Sequence, residues 1–363
     1  MRALHTASLS ISLSRRGFVG AALGSLPAFG AAAQERSQSL SGAGSTFVQP
    51  LMDRWGRAFA AHEGEGGAAV AGYARLDYEP VGSAGGVVRL LQGAVDFAAT
   101  DVAMAPEELD RHGLAQFPVV SGGVAVAVNL PLPTGATPRL SGAVLARIGL
   151  GQITRWSDPA IAALQDGVAM PDAPITVLRR ADGSGTTWNY TAFLARRSEA
   201  WRTAPGVGWS VPWPVGTAAR GTRGMVEALR ATPGAIAYLE AGEAARSGMR
   251  VAAIDNAAGR FVIPDAAALD AGLAALPWAT ARHFHQEVAE PLVADAYPIL
   301  ATVFAVMRRR PASATGSRAA LAFFRMGLAE RADDARALGF VPLSPALVSQ
   351  VAAHWPAVIR GAR

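Results

Sequence analysis

Residues 179–187, Arg-Arg-Ala-Asp-Gly-Ser-Gly-Thr-Thr, combine guanidinium groups, hydroxyl side chains and two glycines. They follow an apolar run that predicts a buried strand, and they precede residues 188–196, whose apolar spacing predicts a helix. A Gly-broken turn at a helix start presents unpaired backbone N–H groups where the helix dipole is positive. The stretch therefore predicts an oxyanion site, to which Arg180 adds a forked, charged donor. An ordinary turn in which Asp182 or Ser184 caps the helix fits the same residues.

Two further stretches of the chain repeat this pattern. Residues 42–47, Gly-Ala-Gly-Ser-Thr-Phe, and residues 82–86, Gly-Ser-Ala-Gly-Gly, each precede a predicted helix. Residues 94–99 predict a strand that runs into Thr100 and Asp101, and open α/β sheets bind their ligands at the carboxyl ends of strands. Three hydroxyl-bearing turns and one acid at a strand end form a candidate binding site.

The bulk composition sets the class of protein. The chain has 363 residues, of which 51% are apolar, so it is long enough for two domains with their own cores. Predicted strands alternate with helices, which favours an α/β fold. Two long apolar runs, residues 117–129 and 298–307, are candidate strands crossing between the domains. The net charge of +5 includes three arginines and no acid in the first 33 residues, so the remainder is close to neutral and nucleic-acid binding has no support.

The absence of cysteine narrows the chemistry further. With no cysteine in the chain, disulfides, thiol catalysis and cysteine–metal sites are excluded, as is a lipid anchor on an N-terminal cysteine.

The first residues predict export. Ser14-Arg15-Arg16-Gly17-Phe18 is followed by a run of apolar and small residues that ends at Ala33. This pattern predicts a signal peptide of the twin-Arg type over residues 1–33, and a general secretory signal that contains two arginines is the alternative. We expect the mature protein to be periplasmic, without a lipid anchor.

Taken together, these stretches resemble a known family over residues 40–355. They are similar, in order, to the four ligand motifs of the phosphate-binding proteins of the Pst-type ABC transporter: Gly42-Ala43-Gly44-Ser45-Thr46-Phe47, Gly82-Ser83-Ala84-Gly85-Gly86-Val87, Asp96-Phe97-Ala98-Ala99-Thr100-Asp101, and residues 179–186. The resemblance implies the type II periplasmic-binding-protein fold, in which two α/β lobes joined by crossing strands enclose a ligand cleft. Lobe I is implied at residues 37–121 plus 300–363, and lobe II at residues 122–299.

The resemblance also implies a function. We expect high-affinity binding of inorganic phosphate and its delivery to membrane permease subunits of a phosphate ABC transporter. The expected protein is a monomer that is not an enzyme and uses no cofactor and no metal. The implied phosphate ligands are Ser45, Thr46, Phe47, Ser83, Asp101, Arg180, Ser184, Gly185 and Thr186. Phe47 is expected to act through its backbone N–H, and Asp182 to hold Arg180 in place.

Two departures from the family pattern stand out. The second serine usual in the Gly-Ser-Ser-Gly-Gly motif is Ala84 here, and the stretch 63–73 looks longer than in relatives. Neither removes an expected principal ligand.

Asp101 makes the expectation specific, because an ionised carboxylate repels a neighbouring anion. The pairing is tolerable only when the anion carries a proton that the carboxylate accepts. Hydrogen phosphate and dihydrogen phosphate carry one, whereas sulfate at neutral pH does not. Asp101 is therefore predicted to reject sulfate, since a buried unpaired acceptor costs several kcal/mol, or about three decades of discrimination.

Other functions remain open from the sequence. A binding protein for sulfate, molybdate or a phosphonate would use similar turns. An enzyme, such as a phosphatase, finds little support, because the turns match neither a phosphate-binding loop of the GxxxxGK[ST] type nor a GxSxG elbow. The one histidine pair, His283 and His285, lacks further ligand-spaced partners beyond Glu287. A periplasmic sensor that kept the fold is a third possibility.

Overall fold

A computed structural model describes residues 38–62, 73–278, 281–286 and 290–360. The predicted signal peptide, residues 1–33, and nearly all of the stretch 63–73 lie outside these residues. Among the residues that are described, no helix is long and apolar enough to cross a membrane.

The described part of the chain alternates strands and helices. The strands are β1 (Gln38–Gly44), β2 (Tyr73–Glu79), β3 (Phe97–Thr100), β4 (Leu114–Val128), β5 (Arg139–Leu140), β6 (Thr176–Arg180), β7 (Thr217–Ala219), β8 (Ala235–Glu240), β9 (Arg250–Val251), β10 (Ala253–Asp255), β11 (Phe261–Val262), β12 (Leu300–Arg308) and β13 (Val341–Pro342). The helices are α1 (Gln49–His62), α2 (Ser83–Leu91), α3 (Pro106–His112), α4 (Gly142–Gly149), α5 (Pro159–Ala162), α6 (Gly185–Arg197), α7 (Glu199–Thr203), α8 (Gly221–Ala231), α9 (Ala241–Arg246), α10 (Ala266–Ala274), α11 (Ala314–Glu330), α12 (Ala332–Ala337) and α13 (Pro345–Val358).

One continuous sheet organises the fold, with strand order β2-β1-β3-β12-β4-β8-β6-β7, and β13 and β9 also pair with β4. The strands β1, β2 and β3 are parallel to one another, as are β6, β7 and β8. We call the half around β1, β2, β3 and β12 lobe I, and the half around β6, β7 and β8 lobe II. Both belong to one compact unit, Ser37–Arg363. The predicted α/β architecture of two lobes is confirmed.

The long strand β4 connects the two lobes. Its Gly123 pairs with Leu300 of β12, and the next residue, Val124, pairs with Glu240 of β8. Every residue of β4 is buried, as expected of a strand covered on both faces. The second crossing between the lobes is shorter than predicted, because residues 298–307 do not form a strand that runs through both lobes. All of β12 pairs within lobe I or with β4, and the crossing lies just before it, where Val124 N donates to Ile299 O at 2.8 Å.

Each lobe is held by its own aromatic cluster. In lobe I, Phe97 and Phe117 both pack edge-on against Phe324 of α11, with ring centroids 4.9 and 5.2 Å apart. In lobe II, Tyr238 of β8 stacks on Tyr190 of α6 at 4.6 Å. Such pairs add to the burial of large apolar areas, so each half of the cleft is built on a packed support.

Candidate functional site

The cleft between the lobes is formed where four helices begin. The starts of α1 and α2 lie on the lobe I side, and those of α6 and α8 lie on the lobe II side. Two hydrogen bonds show that these sides meet: the hydroxyls of Thr46 and Thr222 are 2.9 Å apart, and Ala84 N donates to Gly183 O at 3.1 Å. The first N–H groups of a helix have no intrahelical acceptor and carry its positive dipole end. Their convergence makes the cleft suited to an anion.

The turn between β1 and α1 contributes the hydroxyls of Ser45 and Thr46. The backbone of Ser45 is fixed on both sides of its Cα, because its N–H donates to Ala99 O at 2.9 Å and its carbonyl accepts from Tyr78 OH at 2.8 Å. The Phe47 N–H, which the sequence assigns to the ligand, here donates to Ser45 Oγ at 3.1 Å. All three residues are buried.

The turn before α2 brings Ser83 into the same place. Gly82 adopts a φ of 86°, a conformation that favours glycine. Gly86 lets the helix press against β1, since a Cβ there would lie 2.4 Å from Gly44 Cα. Ser83 is thereby buried, and its Oγ accepts from Asp101 N at 3.3 Å.

Asp101 directly follows β3 and is only 3% exposed. Its Oδ2 accepts from Thr186 Oγ1 at 3.4 Å, and its Oδ1 has no hydrogen-bond partner among the described residues. Burial raises the pKa of the Asp101 carboxyl from 3.8 to about 6, although the Ser45 hydroxyl, the Arg180 charge and the hydroxyls of Thr186 and Ser83 oppose the rise. A buried acceptor with an unused lone pair is costly, so this oxygen is suited to a partner that brings its own proton.

The start of α6 forms the opposite side of the cleft. Ser184 is the N-cap of α6, because its Oγ accepts from Thr187 N at 3.2 Å. Of the two caps that the sequence allowed, Asp182 and Ser184, the structure has Ser184. A Cβ on Gly185 would lie 2.7 Å from Asp101 Cβ and 2.8 Å from Ser83 Oγ. Only glycine therefore permits this approach between the lobes, and it brings the start of α6 against Asp101 and Ser83.

Arg180 ends β6 and is 5% exposed. Its Nε donates to Asp182 Oδ1 at 2.8 Å and its Nη2 donates to Asp182 Oδ2, while its backbone N–H donates to Tyr238 OH at 2.9 Å. A guanidinium has five N–H donors, so this fork leaves donors for a ligand. Burial raises the pKa of Asp182, but the hydrogen bond and charge of Arg180 and the N–H of Gly221 outweigh burial and hold that pKa below 3.8.

The structure thus brings all the residues implied by the family motifs into one cleft. We call two groups of them the lobe I wall and the lobe II wall. The lobe I wall is Ser45, Thr46, Phe47, Ser83 and Asp101. The lobe II wall is Arg180, Asp182, Ser184, Gly185 and Thr186.

Sequence reasoning missed three residues that contact these walls. Thr222 bonds to Thr46, Tyr238 OH contacts both Arg180 N and Thr187 Oγ1, and Asn189 Nδ2 donates to Asp101 O at 2.8 Å. Thr222 lies at a Gly/Thr-rich helix start like the other turns, and this signal could have found it. The other two come from a strand interior and a helix interior, where sequence gives no such signal.

The histidine pair lies elsewhere. His283 belongs to the 3-10 turn Arg282–Phe284, and His285 follows it, with its Nδ1 3.2 Å from Met104 O. Within the described ranges, no group of three or more His, Cys, Asp or Glu side chains could hold a metal ion.

Comparison with known proteins agrees with this architecture. The family model of the PBP superfamily domain matches residues 30–325. A solved structure of a high affinity periplasmic phosphate-binding protein bound with phosphate aligns with a TM-score of 0.69 at 24% identity, covering 90% of this chain and 97% of that one. A phosphate-binding protein from Stenotrophomonas maltophilia aligns with a TM-score of 0.65 at 20% identity, covering 89% and 98%. The fold and the cleft define a type II periplasmic-binding protein.

Two curated relatives are similar over most of their length. The phosphate-binding protein PstS of Xylella fastidiosa (strain 9a5c) is 35% identical over 324 residues, which cover 89% of this chain and 86% of the relative. The PstS of Pasteurella multocida (strain Pm70) is 32% identical over 325 residues, which cover 90% and 92%. The chain belongs to the PstS family of phosphate-binding proteins.

Proposed function

We propose that this protein binds inorganic phosphate with high affinity between its two lobes and delivers it to the permease of a phosphate ABC transporter. It is a binding protein and carries out no reaction on its ligand. The relatives named PstS support the ligand, and the convergence of four helix starts with one arginine supports the binding of a compact oxyanion.

The observation that carries this proposal is the unused oxygen of Asp101. Every other polar group assigned to the two walls is a donor, can act as a donor, or, like Asp182, is already paired. A dianion without protons would face Asp101 with nothing to donate. Hydrogen phosphate and dihydrogen phosphate place a proton on that oxygen, so phosphate fits the walls and sulfate does not.

The geometry of the two walls supports the remaining ligand contacts that we propose. Arg180 donates charge-assisted hydrogen bonds from lobe II, held in orientation by Asp182. The hydroxyls of Thr46 and Ser83 donate from lobe I. Ser184, Gly185 and Thr186 donate through hydroxyls and the first N–H groups of α6. Ser45 and the backbone of Phe47 complete the proposed set, and the Phe47 N–H must exchange Ser45 Oγ for a phosphate oxygen.

The organisation of the chain is part of the proposal. We assign lobe I to residues 37–121 plus 300–363 and lobe II to residues 122–299. The change of partner within β4, from Leu300 at Gly123 to Glu240 at Val124, supports a crossing between the lobes in this part of β4, two residues after the assigned boundary. Residues 1–33 act as a signal peptide of the twin-Arg type, and the mature protein works in the periplasm as a monomer.

Isothermal titration calorimetry with inorganic phosphate tests the proposal. We expect saturable one-to-one binding by the wild-type protein. Arg180→Ala should weaken it by about 10- to 100-fold, because a hydrogen bond to a charged group contributes about 1.5–3 kcal/mol.

Arg179→Ala is the matched control, since the neighbouring Arg179 donates from Nε to Gly216 O at 3.4 Å, outside both walls. It should bind phosphate like the wild type. Absence of phosphate binding by the wild-type protein overturns the proposal, and an equal loss in both variants overturns the role of Arg180.

A further inference from the structure

We propose that Asn189 is a positioning residue that couples closure of the lobes to the placement of Asp101. This inference rests on the proposed phosphate-binding function and adds to it a residue outside the family motifs quoted above. Asn189 lies in the second turn of α6 and is 2% exposed, so its amide is committed to partners inside the protein.

The two acceptors of the Asn189 Nδ2 group belong to different lobes. Its Nδ2 donates to Gly185 O at 2.9 Å, one turn earlier in α6, and to Asp101 O at 2.8 Å, across the cleft in lobe I. Both partners are carbonyl oxygens, which only accept, so the orientation of the amide is fixed by chemistry. An oxygen in place of Nδ2 would face two acceptors.

The bond between Asn189 and Asp101 O depends on closure of the lobes, whereas the bond to Gly185 O does not. The bond to Gly185 stays within α6 and holds the side chain in the same orientation whether the lobes are together or apart. The bond to Asp101 forms only when the lobes meet. Asn189 is therefore preorganised, and closing the cleft requires no further ordering of its side chain.

The bond from Asn189 holds Asp101, the residue proposed to accept a proton of the ligand. Asp101 directly follows β3, and the peptide that Asn189 holds carries the carboxylate whose Oδ1 is unpaired. Ser83 Oγ accepts from the Asp101 N–H, so the backbone of Asp101 is held from lobe I at one end and from lobe II at the other. Asn189 thus sets where the Asp101 oxygen lies only in the closed cleft, when phosphate is enclosed.

The test compares Asn189→Leu with Thr191→Val by calorimetry, stopped-flow binding and thermal unfolding. Leu has the same branching and the same number of side-chain heavy atoms as Asn, and it has no donor. Thr191 is a matched control because it is also buried on α6, but its hydroxyl hydrogen bonds to described residues stay within lobe II, with Trp188 O and Gly208 N. Both variants should lower the melting temperature of the free protein.

Only Asn189→Leu should change ligand binding. We expect its phosphate dissociation constant to rise about tenfold, mainly through faster release, because the lost bond to Asp101 exists only in the closed state. Its preference for phosphate over sulfate should also fall, since Asp101 is less firmly placed. Thr191→Val should bind phosphate within twofold of wild type.

An Asn189→Leu protein that is less stable yet keeps wild-type affinity, release rate and selectivity would overturn the proposal, because the side chain would then act only in folding. If Asn189→Leu fails to fold, Asn189→Ala, which only removes atoms, is measured in the same way with the same two outcomes. Failure of wild type to bind phosphate would instead contradict the proposed function, so the two failures are distinct.

Discussion

Asp101 on the lobe I wall and Asp182 on the lobe II wall are acids of the same cleft, yet their pKa values move in opposite directions. Burial raises the pKa of both. At Asp182 the Arg180 fork and the Gly221 N–H outweigh burial and lower the pKa below 3.8, whereas at Asp101 the surrounding hydroxyls and the more remote Arg180 charge do not, and the pKa rises to about 6. The two pKa values therefore differ because of the groups that surround each carboxylate, since both residues are aspartates.

The two carboxylates have different hydrogen-bonding roles. Asp182 uses both of its oxygens to orient Arg180, so it neutralises and positions a donor. One carboxylate oxygen of Asp101 has no partner within the described part of the chain, so it can accept a hydrogen bond from a ligand. In the proposed binding mode, lobe II supplies the positive charge and lobe I supplies the acceptor for the ligand's proton. Both walls then have to meet around one ligand.

The largest effect should come from keeping the walls apart. Gly185→Ala places a Cβ 2.7 Å from Asp101 Cβ, so the lobes cannot reach the closed position. We expect phosphate affinity measured by calorimetry to fall by about 1,000-fold, or about 4 kcal/mol, because the contacts of one wall are lost.

The control for this variant is Gly224→Ala in α8, where a Cβ would meet only Ala219 C at 3.9 Å. It should bind phosphate normally. Near-normal phosphate binding by Gly185→Ala would show that the observed approach of the walls is not needed.

Removing the acid of lobe II should destabilise the protein. Asp182→Asn deprives the buried Arg180 of its carboxylate, and breaking a buried ion pair costs about 3 kcal/mol or somewhat more. Because the pKa of Asp182 is lowered, its stabilisation is present above its unfolded value of 3.8 and is lost as the pH falls through the folded value. Chemical denaturation at pH 8 should show the full loss, and an unchanged midpoint would be inconsistent with this pairing.

Removing the acid of lobe I should increase the stability of the phosphate-free protein, in contrast to Asp182→Asn. The folded pKa of Asp101, about 6, lies above its unfolded value of 3.8, so the carboxyl lowers the stability progressively as the pH rises from 3.8 to about 6, and the loss is complete above that pH. Asp101→Asn should therefore stabilise the free protein at pH 8, by up to about 3 kcal/mol for a shift of two units. The gain should shrink as the pH falls towards 4. The stabilities of Asp101→Asn and wild type are compared by chemical denaturation at pH 4.5 and at pH 8. An equal difference in unfolding free energy at the two pH values would exclude a buried Asp101 that ionises between them.

Much of this organisation could be predicted from local sequence. The hydroxyl-bearing turns at the starts of α2 and α6, and Asp101 at the end of β3, are local patterns with a local physical cause, so the sequence places them well. Contacts that depend on how the two lobes meet have no local signature. Asn189 belongs to a helix interior, where the neighbouring residues give no indication that its amide reaches Asp101 O.

The same limit explains two smaller differences. The apolar run 298–307 predicted a crossing strand, but β12 stays in lobe I because its pairing with β3 and β4 decides the register. The Phe47 N–H was assigned to a ligand, whereas Ser45 Oγ accepts it in this structure, a local hydrogen bond that competes with the ligand.

The proposed role of Asp101, to accept a proton that phosphate carries and sulfate lacks, is tested most directly by titrating wild type and Asp101→Asn with both anions at pH 8. We predict that wild type binds phosphate at least about 1,000-fold more tightly than sulfate, and that the variant narrows this ratio to about tenfold or less. Equal binding of the two anions by wild type, or an undiminished preference in the variant, would contradict it.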